Sequence, residues 1–278
     1  MSNLQIGIRL HDMEPVSLEK RLSLAKEQGF TCAHLASKLI YSEYKIDRHG
    51  LTPGLASHIK NEFQKNGIDI AVYGCYLNLA NPDPDQLNEI IAEYKANIRF
   101  ASYLGASLVG TETGAPNTEY RYCPQCHEEE AFVCFLKNLK TVVDYAASYG
   151  ITIAIEPVWR HIIYNPRRTR IALDTIGNDH LQIIFDPVNM LCVGNHEEQD
   201  ALFEEMLSLN GNDIVLLHAK DYVVQGDDIV ACAPGVSKNL NYTKILAWQQ
   251  KKKPYLQATI ENSTPENAVA SKNYLANF

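Results

Sequence analysis

The chain predicts an α/β fold closed into a (β/α)8 barrel, and three observations carry that prediction. Eight short apolar runs alternate with amphipathic helical stretches along the 278 residues. Glycines punctuate the boundaries, with equal steps from Gly29 to Gly67 to Gly105 and a longer one to Gly150. Four successive runs close on a polar side chain: Glu156 after ITIAI, Asp186 after LQIIF, His218 after IVLL and Glu261 after YLQATI.

The elements follow in order. Strands are expected near residues 4 to 10, 30 to 35, 68 to 76, 107 to 112, 151 to 156, 181 to 186, 214 to 218 and 255 to 261. Gly29, Gly67, Gly105 and Gly150 each end a helical stretch and precede a strand, the place where a residue in the left-handed conformation terminates a helix. Leu87, Ile90, Ile91, Tyr94 and Ile98 form one apolar stripe, and Phe132, Phe135, Leu136, Leu139, Val142, Val143 and Ala146 form another. Stripes of this period each cover one side of a sheet. The length suits the roughly 250 residues of a (β/α)8 barrel with some surplus in loops. An open doubly wound sheet is the alternative, but it calls for a glycine-rich nucleotide loop, and neither GxGxxG nor a P-loop pattern occurs. With no low-complexity linker, residues 1 to 278 read as a single barrel domain.

Composition narrows the function. A formal charge of -8 argues against duplex nucleic acid, whose binding draws on Lys and Arg neutralising phosphates. The N-terminal MSNLQIGIRLHD has no secretory pattern and no apolar run reaches the roughly 20 residues of a membrane span, so a cytoplasmic protein with no membrane partner is expected. Seven cysteines, mostly within apolar segments, suggest reduced thiols and not a disulfide framework.

In a barrel the C-terminal ends of the last four strands are neighbours on the active-site rim. Glu156, Asp186, His218 and Glu261 can therefore converge although they are far apart in sequence. Three carboxylates and a neutral imidazole suit one divalent metal ion, Mn2+ first and Mg2+, Co2+ or Zn2+ as alternatives. Open coordination positions would remain for substrate oxygens.

The segments IAIEP (153 to 157), FDPVN (185 to 189), HAKD (218 to 221) and ATIEN (258 to 262), with TETG at 111 to 114, resemble those of the sugar phosphate isomerase/epimerase group in the xylose isomerase-like TIM barrel superfamily. The resemblance implies that Glu156, Asp186, His218 and Glu261 bind one divalent metal, often manganese, and that Glu156 and Glu261 also exchange protons with a small sugar. It implies a metal-dependent isomerase or epimerase. A dehydratase using the same proton abstraction and a non-catalytic sugar-binding protein are the alternatives. The match is incomplete: ketose 3-epimerases of this superfamily often carry a His and an Arg where this chain has Asn189 and Val224. Their particular substrate is therefore not expected here, and Asn189 with the acidic charge also speaks against the multi-zinc DNA-repair endonucleases of the superfamily.

Other residues are placed to contact substrate. His161, Asn189, Lys220 and Glu112 are the substrate-binding candidates, with Lys220 suited to polarise an oxygen, His161 to bond a hydroxyl and Asp221 to orient either. Arg160 could also reach the rim, and His11 and His34 could line the opposite wall with Tyr76 and Asn78. Each has a plainer reading as a loop, cap or core residue. Cys123-Pro-Gln-Cys-His127 matches a haem-attachment pattern and half of a zinc knuckle, yet incidental thiols in a loop are the plainer account. That loop is the longest irregular insertion and reads as a lid. Arg167, Arg168 and Arg170, near a helix start, could hold a phosphate, although a solvated basic face is the commoner outcome. The sequence leaves open a homo-oligomer.

Overall fold

The computed structural model describes residues 4–278, so the first three residues of the range read as one domain lie outside it. Eight strands close into a parallel barrel: β1 (Gln5–Arg9), β2 (Cys32–Ala36), β3 (Asp69–Gly74), β4 (Leu108–Glu112), β5 (Thr152–Glu156), β6 (Leu181–Phe185), β7 (Ile214–Ala219) and, after a hairpin of β8 (Asp221–Gln225) and β9 (Asp228–Cys232), β10 (Gln257–Ile260). Each barrel strand pairs with its neighbours in parallel, and β10 returns to β1 with Gly7 opposite Thr259. Closure rules out the open-sheet alternative.

The surrounding helices are α1 (Leu18–Glu27), α2 (Ser37–Tyr44), α3 (Pro53–Asn66), α4 (Pro84–Leu104), α5 (Glu129–Ala147), α6 (Pro166–Ile176), α7 (Gln199–Asn210), α8 (Thr243–Lys252) and α9 (Ala268–Ala276). Their ends follow from local chemistry. The Asp83 carboxylate accepts from the N–H groups of Asp85 and Gln86, Pro84 occupies the first turn, and Gly105 at φ 79° ends α4. Thr52, Pro53 and Gly67 at φ 64° do the same for α3. The stripes on α4 and α5 point inward: Tyr94, Ile98, Phe135, Leu139, Val142 and Val143 are all buried. A buried aliphatic or aromatic side chain of this size contributes about 1.5 to 3 kcal/mol, so the two stripes anchor that half of the shell.

Two features depart from the simple repeat. The connection from β2 to β3 holds two helices, α2 and α3, and β2 runs into α2 with no intervening loop. The β8/β9 hairpin follows β7 after one residue and turns at Gly226, which has φ 61°. Its side chains are largely half-exposed or exposed, so it lacks the continuous apolar run that marks the barrel strands.

Side chains alternate along each strand, so every second residue faces the barrel axis. Cys32, Val72, Ala154, Ile184 and Leu216 pack there as an apolar floor. Gly110 makes room for it, since a Cβ at that position would stand 2.8 Å from both Val72 and Ile184. Two residues further along the strands, the inward positions become polar, and the site begins.

Candidate metal centre and active site

The inward positions above the floor are Arg9 on β1, His34 on β2, Glu112 on β4, Glu156 on β5 and His218 on β7, while Asp186, Lys220 and Glu261 lie one residue beyond β6, β7 and β10. Glu156 sits opposite Glu112 in the β4–β5 register, and Arg9 sits opposite His34 in β1–β2. The barrel thus converts strand-end positions into a ring.

The four residues expected to hold a metal are brought together. His218 Nδ1 stands 3.1 Å from Glu156 Oε2 and 3.3 Å from Glu261 Oε1. Glu156, Asp186 and His218 form one group whose candidate ligand atoms all lie within 4.8 Å of one another, and His34, His218 and Glu261 form a second. Lys220 Nζ lies 2.8 Å from Asp186 and 3.0 Å from Glu261, and Arg9 bridges Glu261 at 3.0 Å and Asp12 at 2.9 Å. His34 Nδ1 is 3.3 Å from Glu261 Oε1. Asn189 donates from its side chain to Glu156 and accepts from Lys220, and its backbone N–H donates to Asp186.

Charge and lone pairs both call for a cation. Four carboxylates (Asp12, Glu156, Asp186 and Glu261) face two fixed cations (Arg9 and Lys220), which leaves one negative charge uncompensated when His218 is protonated and two when it is neutral. Uncompensated charge in a buried site is costly. Both ring nitrogens of His218 and Oδ2 of Asp186 lack a well-formed hydrogen bond although they are buried. The close approach of Lys220 to Asp186 is thus an ion pair of poor hydrogen-bond geometry. Hard carboxylate oxygens and one imidazole nitrogen make a donor set that fits a divalent metal ion.

The titration behaviour reflects the same field. Burial opposes charge on His218, but Glu261 and Glu156 outweigh it and raise its pKa to about 8. Burial likewise opposes ionisation of Glu261, yet His218 and Lys220 hold it well below the ordinary carboxylate range. Glu156 is lowered too, with His218 overcoming the burial cost. Asp186 moves up to about 6, because burial dominates despite Lys220. Glu112 moves up to about 7 through burial and the nearby Glu156 charge.

A cavity of about 390 Å³ opens beside this cluster toward β1, β2 and β3. Glu112, Glu156, Lys220 and Glu261 reach its wall, whereas Asp186 and His218 lie beneath, at 0% and 1% exposure. Of the four substrate-binding candidates, Glu112 and Lys220 line the cavity. His161 stands behind Glu112, with Nδ1 3.8 Å from its carboxylate, and burial lowers its pKa to about 4. Asn189 borders a separate cavity of about 310 Å³ between Trp159 and Ile229. Its side chain is committed to Glu156 and Lys220. His11, His34 and Tyr76 line the opposite wall, as their strand positions suggest.

Several expectations need correction. Asp221 does not orient Lys220 or His161: its buried carboxylate accepts from the backbone N–H groups of Tyr222, Ser237, Lys238, Asn239 and Leu240. Arg160 turns outward to Asp228. Asn78 is not on the wall of the cavity beside the cluster; it bonds Ala115 and Asn117 and pins the start of the 113–128 loop. That loop does cover part of the rim, since Tyr120 donates to Glu112 and packs against His161. Within it Cys123 and Cys126 lie 3.9 Å apart, but His127 points away and bonds the Trp159 carbonyl. Among the described residues neither cysteine belongs to a three-ligand group. Arg167 and Arg170 pair with Glu205 and with Asp213 and Asp174, and Arg168 bonds the carbonyls of His127 and Glu128. The basic segment is a set of surface and inter-helix ties. The residue most clearly missed is Arg9; its signal is a charged side chain closing the apolar run QIGI, the same cue that marks the four ligand candidates.

A parallel barrel with a buried acid–imidazole cluster at the C-terminal ends of its strands defines a class of TIM barrels built around one polar centre. The chain belongs to one family of that class: the model described as xylose isomerase-like TIM barrel matches residues 22–249. Among curated proteins, none matches the sequence. Solved structures share the fold at low identity. A D-tagatose 3-epimerase-like protein is 19% identical with a TM-score of 0.76, covering 99% of this chain and 96% of the other. The IOLI protein, solved with a bound zinc atom, is 20% identical with a TM-score of 0.73 and covers 99% and 97%. A probable 3-DHS dehydratase, AsbF of Bacillus anthracis, is 12% identical with a TM-score of 0.76 and covers 98% and 99%. No helix among the described residues is long and apolar enough to cross a membrane.

Proposed function

We propose that this protein is a divalent-metal-dependent isomerase or epimerase that moves a proton next to the carbonyl of a small sugar or related polyhydroxy compound. One observation carries the reading: Glu156 and Glu261 both contact His218 and both reach the cavity, while Asp186 and His218 stay buried beneath them. Asp186 and His218 would hold the ion, and the two glutamates would hold it and also face substrate carbon. Family membership and the epimerases among its structural neighbours support the assignment. Manganese is our first choice for the ion, with zinc the metal printed for one neighbour. When bound, the ion would polarise the carbonyl and offset the negative charge that develops on its oxygen.

The chain's own residues supply the rest. His218 and Lys220, with His34 and Arg9, surround Glu261 and keep it ionised, the protonation state a general base starts from. Asn189 fixes one oxygen of Glu156, which turns the other toward His218. Glu112, held near 7 beside Glu156, can store a proton at neutral pH. The same group favours a second reading, a dehydratase, because a departing hydroxyl needs an acid on that side of the cavity. Acidic composition and seven free cysteines support residence in the cytoplasm.

The test is exchange of substrate C–H for solvent deuterium. Protein loaded with Mn2+ and offered a panel of ketoses and aldoses should incorporate deuterium beside the carbonyl, read by NMR, and Glu261→Gln should abolish it with metal still bound. Near-zero metal by elemental analysis after manganese loading sinks the metal reading. Metal without exchange on any sugar points to a binding protein instead.

A further inference from the structure

The 113–128 loop holds two thiols that the proposed chemistry does not use. Cys123 and Cys126 stand with their sulfurs 3.9 Å apart, and among the described residues no other cysteine hydrogen-bonds a second thiol. The backbone prepares the pair. The Cys126 N–H donates to the Cys123 carbonyl at 2.9 Å, and Pro124 takes the first position of the turn between them. A turn closed by such a bond brings its end Cα atoms within about 7 Å, and a disulfide spans about 4.4 to 6.8 Å between Cα atoms. A bond of about 2.0 Å then asks the sulfurs to close by roughly 2 Å, which side-chain rotation supplies without unravelling the turn.

The two sulfurs differ in access. Cys123 is half-buried, whereas Cys126 is fully buried and burial pushes its thiol up to about 11. An oxidant from solvent thus meets Cys123 first, and Cys126 stands behind it as the resolving thiol. The other cysteines are worse placed. Cys32 and Cys75 are buried on the barrel strands' side of the molecule, and exposed Cys134 on α5 is bonded by the Asn138 amide, not by a thiol. A metal ion shared by the pair is the weaker reading, since His127 is turned to the Trp159 carbonyl and two thiols fill only half of a tetrahedral site.

The pair also joins two differently held parts of the loop. On the Cys126 side, His127 stacks on Tyr164, and Arg168 of α6 donates to the carbonyls of His127 and Glu128. On the Cys123 side, the sulfur accepts from the amide of Asn117, which also bonds both backbone groups of Arg121 and is itself held by Asn78. The stretch between these holds carries Tyr120, in the left-handed conformation at φ 53°, whose hydroxyl donates to Glu112 on the cavity wall. A covalent link between the sulfurs fastens that stretch to the part anchored on α6.

We infer that Cys123 and Cys126 form a redox-responsive pair, which a hydroperoxide converts into a disulfide that tightens the loop over the Glu112 side of the rim. The Cys123 sulfur, as thiolate, attacks one oxygen of hydrogen peroxide; the O–O bond breaks, and the departing oxygen takes up the proton the thiol gave up, leaving a sulfenic acid and water. The Cys126 sulfur then displaces hydroxide from that acid: the S–S bond forms, the S–O bond breaks, and the Cys126 proton leaves with the hydroxide as water. The thiol pair loses two electrons and the peroxide gains them, and a dithiol reductant reverses the change. The site needs no metal and no sugar, so it stands or falls apart from the isomerase or epimerase reading.

Thiol mapping on the full chain tests it. Reduced protein is treated with hydrogen peroxide, free thiols are alkylated and peptides are read by mass spectrometry, for the unaltered chain, Cys123→Ser, Cys126→Ser and, as a control, Cys134→Ser. The unaltered chain and Cys134→Ser should join Cys123 to Cys126 with loss of two hydrogens and recover both thiols in dithiothreitol. Cys126→Ser should instead accumulate a sulfenic acid on Cys123, trapped by dimedone, and Cys123→Ser should form no link at Cys126. A link to any other cysteine, oxidation of Cys134 ahead of Cys123, or thiols that resist alkylation until a chelator is added would each overturn the pair, the last by making it a metal site. Amide exchange then tests the loop. Residues 118–123 should exchange about tenfold more slowly in the oxidised chain, because a short covalent ring stabilises the turn, with no slowing in peroxide-treated Cys126→Ser. Equal exchange in the oxidised and reduced chain would overturn the tightening.

Discussion

The two halves of the barrel rim differ in how their polar atoms are satisfied. From β5 to β10, the carboxylates of Glu156, Asp186 and Glu261 lock against His218, Lys220 and Asn189 in a packed cluster. From β1 to β3, the rim is open: it holds the cavity, the unpartnered nitrogens of His11 and His34, the Tyr76 hydroxyl and the bare end of α2. Gly74 lets His34 and Tyr76 pack close against β3, since a Cβ there would collide with both. A closed half that concentrates charge fits fixed chemistry, and an open half that lacks partners fits a ligand which brings its own. The first half should therefore respond to substitution through turnover and metal, and the second through ligand affinity.

The largest break belongs to the closed half. Glu261→Gln should lower deuterium exchange by about 10²- to 10⁴-fold, the range of a lost proton-transfer group, with circular dichroism unchanged. Next, Lys220→Met removes the cation between Asp186 and Glu261 and leaves those carboxylates buried without it. Metal-free protein should lose about 3 to 5 kcal/mol of stability by urea unfolding, and manganese should restore much of it. If the loss is the same with and without metal, Lys220 serves the fold and not the charge balance. The third is a pH effect. Metal must displace the proton His218 carries below about 8, so affinity should rise with pH, by roughly tenfold per unit, and level off above about 8. A flat profile from pH 6 to 8 would show that His218 is not a ligand. The smallest effect lies on the open side: Asn78→Ala frees the Ala115 and Asn117 carbonyls and should cost about 1 to 3 kcal/mol while quickening amide exchange in the 113–128 loop.

The closed half was also the legible half. Glu156, Asp186, His218 and Glu261 each terminate an apolar run, and alternation along the strand sets their direction. A strand-end rule needs only local sequence. Arg9 obeys the same rule, but an arginine after an apolar run also reads as the ordinary end of a strand, so it went unnoticed. Asp221 shows the opposite error. An acid next to a catalytic-looking lysine invites a role beside it, and only the backbone of residues 237–240, folded back over it, reveals where its oxygens go. The hairpin β8/β9 escaped notice because its two strands are short and largely solvent-facing, so no apolar period marked them.

That five-fold grip of Asp221 on main-chain N–H groups, with the Ser237 hydroxyl and the Asn239 amide both donating to the Tyr222 carbonyl, ties the segment up to Leu240 back onto the start of β8. Its tip at Gly226 lies outside the barrel's packing, and the adjacent Lys220 is held independently by Asp186 and Glu261. Near that tip Asp228 pairs with Arg160, and Ile229 and Ala231 pack against the core. The hairpin thus walls the second cavity beside Asn189, while Lys220 keeps its own partners.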